Sequence, residues 1–193
     1  MGTRGAQGFR IGDKDKVTYN HCDSYPAWLG KNIINFVRST PDEELNEIAN
    51  KIVLVDGQKK PTKKQIKECQ AAGLVNTAVA SQSLTDWYCL TREAQGDLSV
   101  YKGDFKYMID SSSFLIDSLF CEWAYIIDID NMLLEFYRGY QETPNGNGRY
   151  AKMKLPDCDY FGVSMFRSVP LNEIRDIVDV DKYCLDMEKN SAV

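Results

Sequence analysis

A chain of 193 residues that is 44% hydrophobic and 26% charged can bury an apolar core as one domain, without needing a disulfide or a metal for stability. Its net charge of −5 argues against duplex DNA or RNA as a ligand, because such binders present a basic face. No apolar run approaches the roughly 20 residues of a membrane-spanning helix, the N-terminus lacks a signal-peptide core, and Ala6 stands where a myristoylation sequence needs Ser or Thr.

The first segment reads as a β-hairpin. Thr3 to Ile11 and Lys16 to Cys22 are extended, and Gly12-Asp13-Lys14-Asp15 supplies turn chemistry. Gly2, Gly5 and Gly8 on the first strand point to close approach by another backbone or a ligand. After Pro26, the residues Leu29, Ile33, Phe36 and Val37 give a short helix face. A second helix follows, in which Thr40 caps, Pro41 enters the first turn and Glu43 completes a capping box. Its apolar stripe is Leu45, Ile48, Ala49 and Ile52. The basic run Lys59-Lys60-Pro61-Thr62-Lys63-Lys64 reads as a solvated loop and helix start.

Thr62 to Ala72 predicts a third helix stopped by Gly73, and Thr85 to Gln95 a fourth stopped by Gly96. Leu98 to Phe120 reads as loop with a short helix around Phe114 to Leu119. Period two returns in CEWAYIIDIDNMLLEFYRG. A turn at Asp130-Asn131 pairs Ile129 with Met132, Ile127 with Leu134 and Tyr125 with Phe136 on one apolar face. The other face carries Glu122, Ala124, Ile126, Asp128 and Glu135. Gly139 to Cys158 is a loop, Phe161 to about Val169 a last strand, and Pro170 opens a final helix with Leu171, Ile174, Ile177 and Val178. Residues from about 187 to 193 read as a disordered tail. Hairpins with helices gathered between them predict an α+β domain, an antiparallel sheet with helices on at least one face.

The six cysteines (22, 69, 89, 121, 158 and 184) are irregularly spaced and lack a C-x-x-C, which does not suit zinc. They fit a reducing compartment, and cytoplasm is expected.

His21, the only histidine, lies in YNHCDSYP at the end of the second strand. The hairpin brings Thr3 and Arg4 toward it, so Arg4, Asn20, His21, Asp23, Ser24 and Tyr25 are expected in one small volume. His21 would act as general acid or base, Arg4 would stabilise an oxyanion or phosphate, and Asp23 would fix the imidazole tautomer. Thr3, Asn20, Ser24 and Tyr25 would position substrate. If the two hairpins share one sheet, Glu122 reaches this cluster and Trp123 or Tyr125 stacks on a base. Each assignment has a plainer counterpart. Asp, Ser and Asn after a strand build turns and caps, and Trp123 and Tyr125 share the core face. Asp128 and Asp130 have the oxygen ligands that magnesium or manganese takes, but beside Asn131 they also suit a turn. No cofactor is expected.

Four blocks, MGTRG, YNHCDSYPAWLG, TDWYCLTREAQGD and LFCEWAYIIDIDNMLLEFYRG, together resemble a family of uncharacterised bacteriophage and bacterial proteins with more distant fungal relatives. The resemblance implies an accessory or counter-defence role, such as destroying or sequestering a nucleotide immune signal in the host cytoplasm. A weaker, architectural likeness is to the N-terminal nucleophile hydrolases, with Asp23 matching the acidic residue that ends their second strand. Here the sequence departs from the pattern, since removal of Met1 exposes Gly2 and leaves Thr3 one position late. The expected activity is metal-independent phosphodiester cleavage of a small nucleotide, centred on His21. The alternatives are non-catalytic sequestration or protein interaction, and amide hydrolysis through Thr3. Oligomeric state stays open.

Overall fold

The computed structural model describes residues 2–190. Strands β1 (Gly5–Ile11) and β2 (Lys14–Asn20) form the expected antiparallel hairpin, with Gly8 opposite Val17. Its turn is tighter than the sequence suggests, because Lys14 and Asp15 already pair with Ile11 and Arg10. Gly12 and Asp13 alone make the reversal at φ of +57° and +58°, the left-handed pair that matches strand twist in a two-residue hairpin.

A π-helical turn, Pro26–Gly30, leads into α1 (Lys31–Arg38), which buries Ile33, Ile34, Phe36 and Val37. Helix α2 (Asp42–Lys51) starts at Pro41 without the predicted capping box. The Thr40 hydroxyl instead donates to the Phe36 carbonyl, closing α1 rather than opening α2. Three acidic residues, Asp42, Glu43 and Glu44, sit against the positive end of the α2 dipole in its place. The capping box occurs on α3 (Lys63–Ala71), where Thr62 and Gln65 exchange side-chain-to-amide bonds. The predicted fourth helix is broken. Asp86 caps the single turn α4 (Trp87–Leu90), and the chain then tightens into a 3₁₀ turn at Arg92–Ala94.

Between these helices lie two strands that the sequence did not announce, β3 (Val53–Val55) and β4 (Tyr107–Ile109), paired in parallel as a small separate sheet. Three residues are too few for a period-two signal to emerge. The short helix expected near Phe114 to Leu119 is a 3₁₀ turn at Ser112–Ile116.

β5 (Trp123–Asp128) and β6 (Leu133–Arg138) pair in the predicted register, with Tyr125 opposite Phe136 and Ile127 opposite Leu134. β7 (Ser164–Pro170) adds to β6, and α5 (Leu171–Arg175) and α6 (Val180–Asn190) complete the fold. The expected tail does not begin at 187, since α6 carries buried Met187 and runs through Asn190; residues 191–193 lie outside the described residues. The main sheet has the order β2-β1-β5-β6-β7 and the class is α+β. Every pairing in it is antiparallel except one. β1 and β5 run parallel, Gly5 beside Trp123, which sets the two hairpins side by side in the centre. This explains the glycines of β1. A Cβ on Gly5 would stand 2.4 Å from the Trp123 carbonyl oxygen, and one on Gly8 2.0 Å from that of Lys16.

One face of the sheet, with Phe9, Tyr125, Ile127, Leu134 and Phe136, packs on the helices. The other, with Ala6, Val17, Ala124, Ile126 and Tyr137, is covered by Leu115, Cys121, Tyr150 and Val163 from the long connections. The second face also holds a polar network. Arg149 donates two bonds to Glu135, which is 4% exposed, and Tyr137 donates a third. Tyr150 bridges Arg149 to Asp15, which in turn accepts from Arg10. Burial and the Asp15 carboxylate raise the Tyr150 phenol well above its usual value. The 139–163 connection is therefore tied down at Arg149 by charge-assisted bonds.

Asp128 and Asp130 act as turn residues. The Asn131 amide and side chain both donate to Asp128, and Asp130 accepts from the Gly12 and Asp13 amides, fastening one hairpin tip to the other. Among the described residues no group of three His, Cys, Asp or Glu side chains could hold a metal ion, and no helix is long and apolar enough to cross a membrane.

Candidate functional site

The start of β1, the end of β2, the start of β5 and the end of β6 all lie at the same end of the sheet, because β1 and β5 are parallel and each turns back through its own hairpin. Backbone bonds extend the pairing outward there. The Glu122 amide donates to the Arg4 carbonyl at 3.0 Å, and the Gly139 amide to the Glu122 carbonyl at 2.8 Å. Past this point the strands part. The gap between them is a cavity of about 620 Å³, lined by Gly2, Thr3 and Arg4, by His21 and Cys22, by Leu119, Phe120 and Glu122, and by Tyr140. That volume is in the range of pockets that take small molecules.

Four of the expected site residues, Thr3, Arg4, His21 and Glu122, share this cavity. His21 is exposed, and its Nδ1 lies 3.0 Å from the Tyr19 hydroxyl. The orienting partner is therefore Tyr19, not Asp23. Alternation at the end of β2 puts residues 19 and 21 on one face, whereas at Asp23 the backbone has left the extended conformation, at φ +52°. Burial raises the Tyr19 phenol above its ordinary value, so its hydroxyl stays protonated at neutral pH. With Nδ1 engaged by Tyr19, Nε2 is the nitrogen left to exchange a proton with a ligand.

Arg4 is exposed, its guanidinium 5.4 Å above the Phe120 ring, and its amide donates to Glu122 Oε1 at 3.2 Å. Arg138 lies between the Trp123 and Tyr140 rings at 4.2 and 5.3 Å and donates to the Glu122 carbonyl. It braces the Tyr140 wall from behind. Burial and the adjacent Glu122 carboxylate raise the Tyr140 phenol, so it too is a hydroxyl donor at neutral pH.

The remaining candidates do other work. Asn20 is buried and donates to the Cys22 carbonyl and to Ser24 Oγ. Ser24 is fully buried; its amide donates to the Thr3 carbonyl and its carbonyl accepts from the Tyr125 hydroxyl. Together they lock the strand end that presents His21. Tyr25 is half-buried against the helical core, and its carbonyl accepts from Trp28 and Gly30. Trp123, 4% exposed, packs edge-on to Phe166 inside the core and is not a stacking surface for a base.

Phe120 and Tyr140, each 47% exposed, supply the aromatic surface instead. The sequence gives no local sign of this. Phe120 precedes β5 and Tyr140 follows β6, so the β5–β6 hairpin brings them together, and the β1–β5 pairing sets them beside Arg4 and His21.

A second cavity, of about 530 Å³, lies between α3 and β4. In it Glu68 accepts from the Tyr107 hydroxyl and has Lys106 at 3.6 Å and Lys64 at 3.8 Å. The first cavity brings an exposed arginine, a half-buried carboxylate and the imidazole together. No protein-family model, curated protein or solved structure matches this chain.

Proposed function

We propose that the protein binds a small nucleotide signal in the cavity around His21 and cleaves a phosphodiester bond in it without a metal ion. What supports this reading is one juxtaposition. The imidazole of His21, the guanidinium of Arg4 and the exposed rings of Phe120 and Tyr140 border a single open cavity. Arg4 neutralises phosphate charge, the rings stack on a base, and His21 takes a proton from the attacking oxygen. The attacking oxygen is that of a water molecule: as it bonds to phosphorus, the P–O ester bond breaks, and the proton that His21 took from the water passes to the departing ester oxygen. General acid–base help of this type contributes about 10²–10⁴ in rate. In the setting proposed, the protein is a phage-type accessory protein in the host cytoplasm, a compartment that suits six cysteines which are all free thiols.

Non-catalytic sequestration is the second reading. It draws support from the same walls, because aromatic rings and an arginine retain a nucleotide without any chemistry. The experiment that separates the two is incubation with cyclic nucleotides and ADP-ribose derivatives followed by chromatography. Cleaved product, lost in His21→Ala with the melting temperature unchanged, supports hydrolysis. Stoichiometric retention, with intact ligand recovered on denaturation, supports sequestration. If none of these compounds is retained or cleaved, the nucleotide reading fails.

A further inference from the structure

The same cavity carries a carboxylate that phosphodiester cleavage does not use. Glu122 is half-buried where β5 begins, held by backbone bonds to Arg4 on one side and Gly139 on the other. Its Oε1 accepts the Arg4 amide at 3.2 Å. The Tyr140 hydroxyl bonds to the same carboxylate. An ionised carboxylate offers about four lone-pair sites, so these two bonds leave capacity for two further donors. Phe120 and Tyr140 line the same cavity with exposed aromatic surface. A planar ring stacked on either would bring its edge within the reach of Glu122.

Resting on the nucleotide reading above, we infer that the cavity selects guanine. Among the bases only guanine presents two adjacent N–H donors, N1–H and N2–H, on its Watson–Crick edge. A carboxylate accepts such a pair in a bidentate manner, with charge-assisted bonds. Adenine turns an unprotonated N1 toward the same place and repels the carboxylate. Uracil flanks its single N–H with carbonyl oxygens, and cytosine sets its amino group beside a bare nitrogen. Hypoxanthine keeps N1–H and loses the amino group, so it ranks between guanine and adenine. Arg4 holds Glu122 through its amide and reaches over the Phe120 ring with its guanidinium, whose N–H groups remain for the phosphate, so base and phosphate are bound side by side.

The test is calorimetric titration of the wild-type chain with the 5′-monophosphates of guanosine, inosine, adenosine and uridine. The expected result is that the guanosine compound binds at least about tenfold tighter than the adenosine and uridine compounds, with inosine between, the scale of one good bidentate base contact. Glu122→Gln, whose amide replaces one acceptor by a donor and no longer repels the adenine N1, is expected to erase that preference, the guanosine compound weakening and the adenosine compound binding at least as well as before. The wild-type series decides the matter even if the variant does not fold. Equal binding of all four overturns guanine selection and leaves the nucleotide reading standing. Binding of none overturns both.

Discussion

The hydroxyl of Tyr19 and Nδ1 of His21, two residues apart where β2 ends, lie 3.0 Å from each other, and their rings meet edge to face at 6.0 Å. The contact fixes which imidazole nitrogen is engaged and which is left for a ligand. Tyr19 itself is held by an edge-on contact with Phe114 at 5.2 Å, so the hydroxyl does not have to be ordered when a ligand arrives. Tyr19→Phe is expected to leave the melting temperature nearly unchanged and to slow the proposed nucleotide cleavage about five- to tenfold, the effect of losing one hydrogen bond of about 1 kcal/mol in the transition state. An unchanged rate in this variant would show that Tyr19 does not position the imidazole.

Cys22 lines the same cavity and is exposed, whereas Cys69, Cys89, Cys121 and Cys184 are buried and Cys158 is half-buried. Burial pushes the Cys69 thiol up to about 11, which keeps it protonated and unreactive at neutral pH. Limiting maleimide should therefore modify Cys22 first, as read by peptide mass spectrometry. A bound nucleotide should slow that modification, and Cys22→Ser should abolish the fast phase. Faster labelling elsewhere would mean that the cavity is closed in solution.

Asp130 joins the two hairpin tips through bonds from the Gly12 and Asp13 amides, and those bonds lower its carboxyl below the usual 3.8. A carboxyl that is more acidic folded than unfolded stabilises the fold above its unfolded value. That contribution fades as pH falls from 3.8 through the lower, folded value. Asp130→Asn is expected to melt below wild type at neutral pH, with the gap closing as the pH drops through this window. Thermal melts of both proteins between neutral and acidic pH check it, and a gap independent of pH would contradict it.

Arg149 and Glu135 are a nearly buried ion pair, with side-chain exposures of 26% and 5%. Removing one partner strands the other, so Arg149→Met should cost about 3 kcal/mol in urea denaturation, the low end for a broken buried pair. Glu135→Gln should also destabilise, and the double variant should lose less than the sum of the two. Strict additivity would show that the two residues do not act as a unit.

Much of this was legible in the sequence where a pattern is local. The period-two run from Trp123 to Arg138 specified its own register, because a shift of one residue would turn Tyr125, Ile127 and Phe136 away from the core. The glycines at 5 and 8 signalled a strand flanked closely on both sides, and the structure supplies both neighbours. Local chemistry misled where two positions compete for the same role. Thr40 has the makings of an N-cap, yet its hydroxyl reaches the Phe36 carbonyl one turn back, and Pro41 begins α2. Asp23 looked like the imidazole's partner by proximity in sequence. Strand alternation gave that place to Tyr19.

By itself the sequence determined the two hairpins, the register of the second and the position of the lone histidine at a strand end, because these follow from short-range alternation and turn chemistry; the first hairpin turns two residues tighter than its composition suggests. The tertiary structure alone decided what stands opposite that histidine. Glu122, Phe120 and Tyr140 meet Arg4 and His21 only because β1 and β5 pair in parallel, a contact between segments more than a hundred residues apart along the chain. Such a pairing is selected by burying two whole faces of the sheet at once, and no single stretch of residues records it.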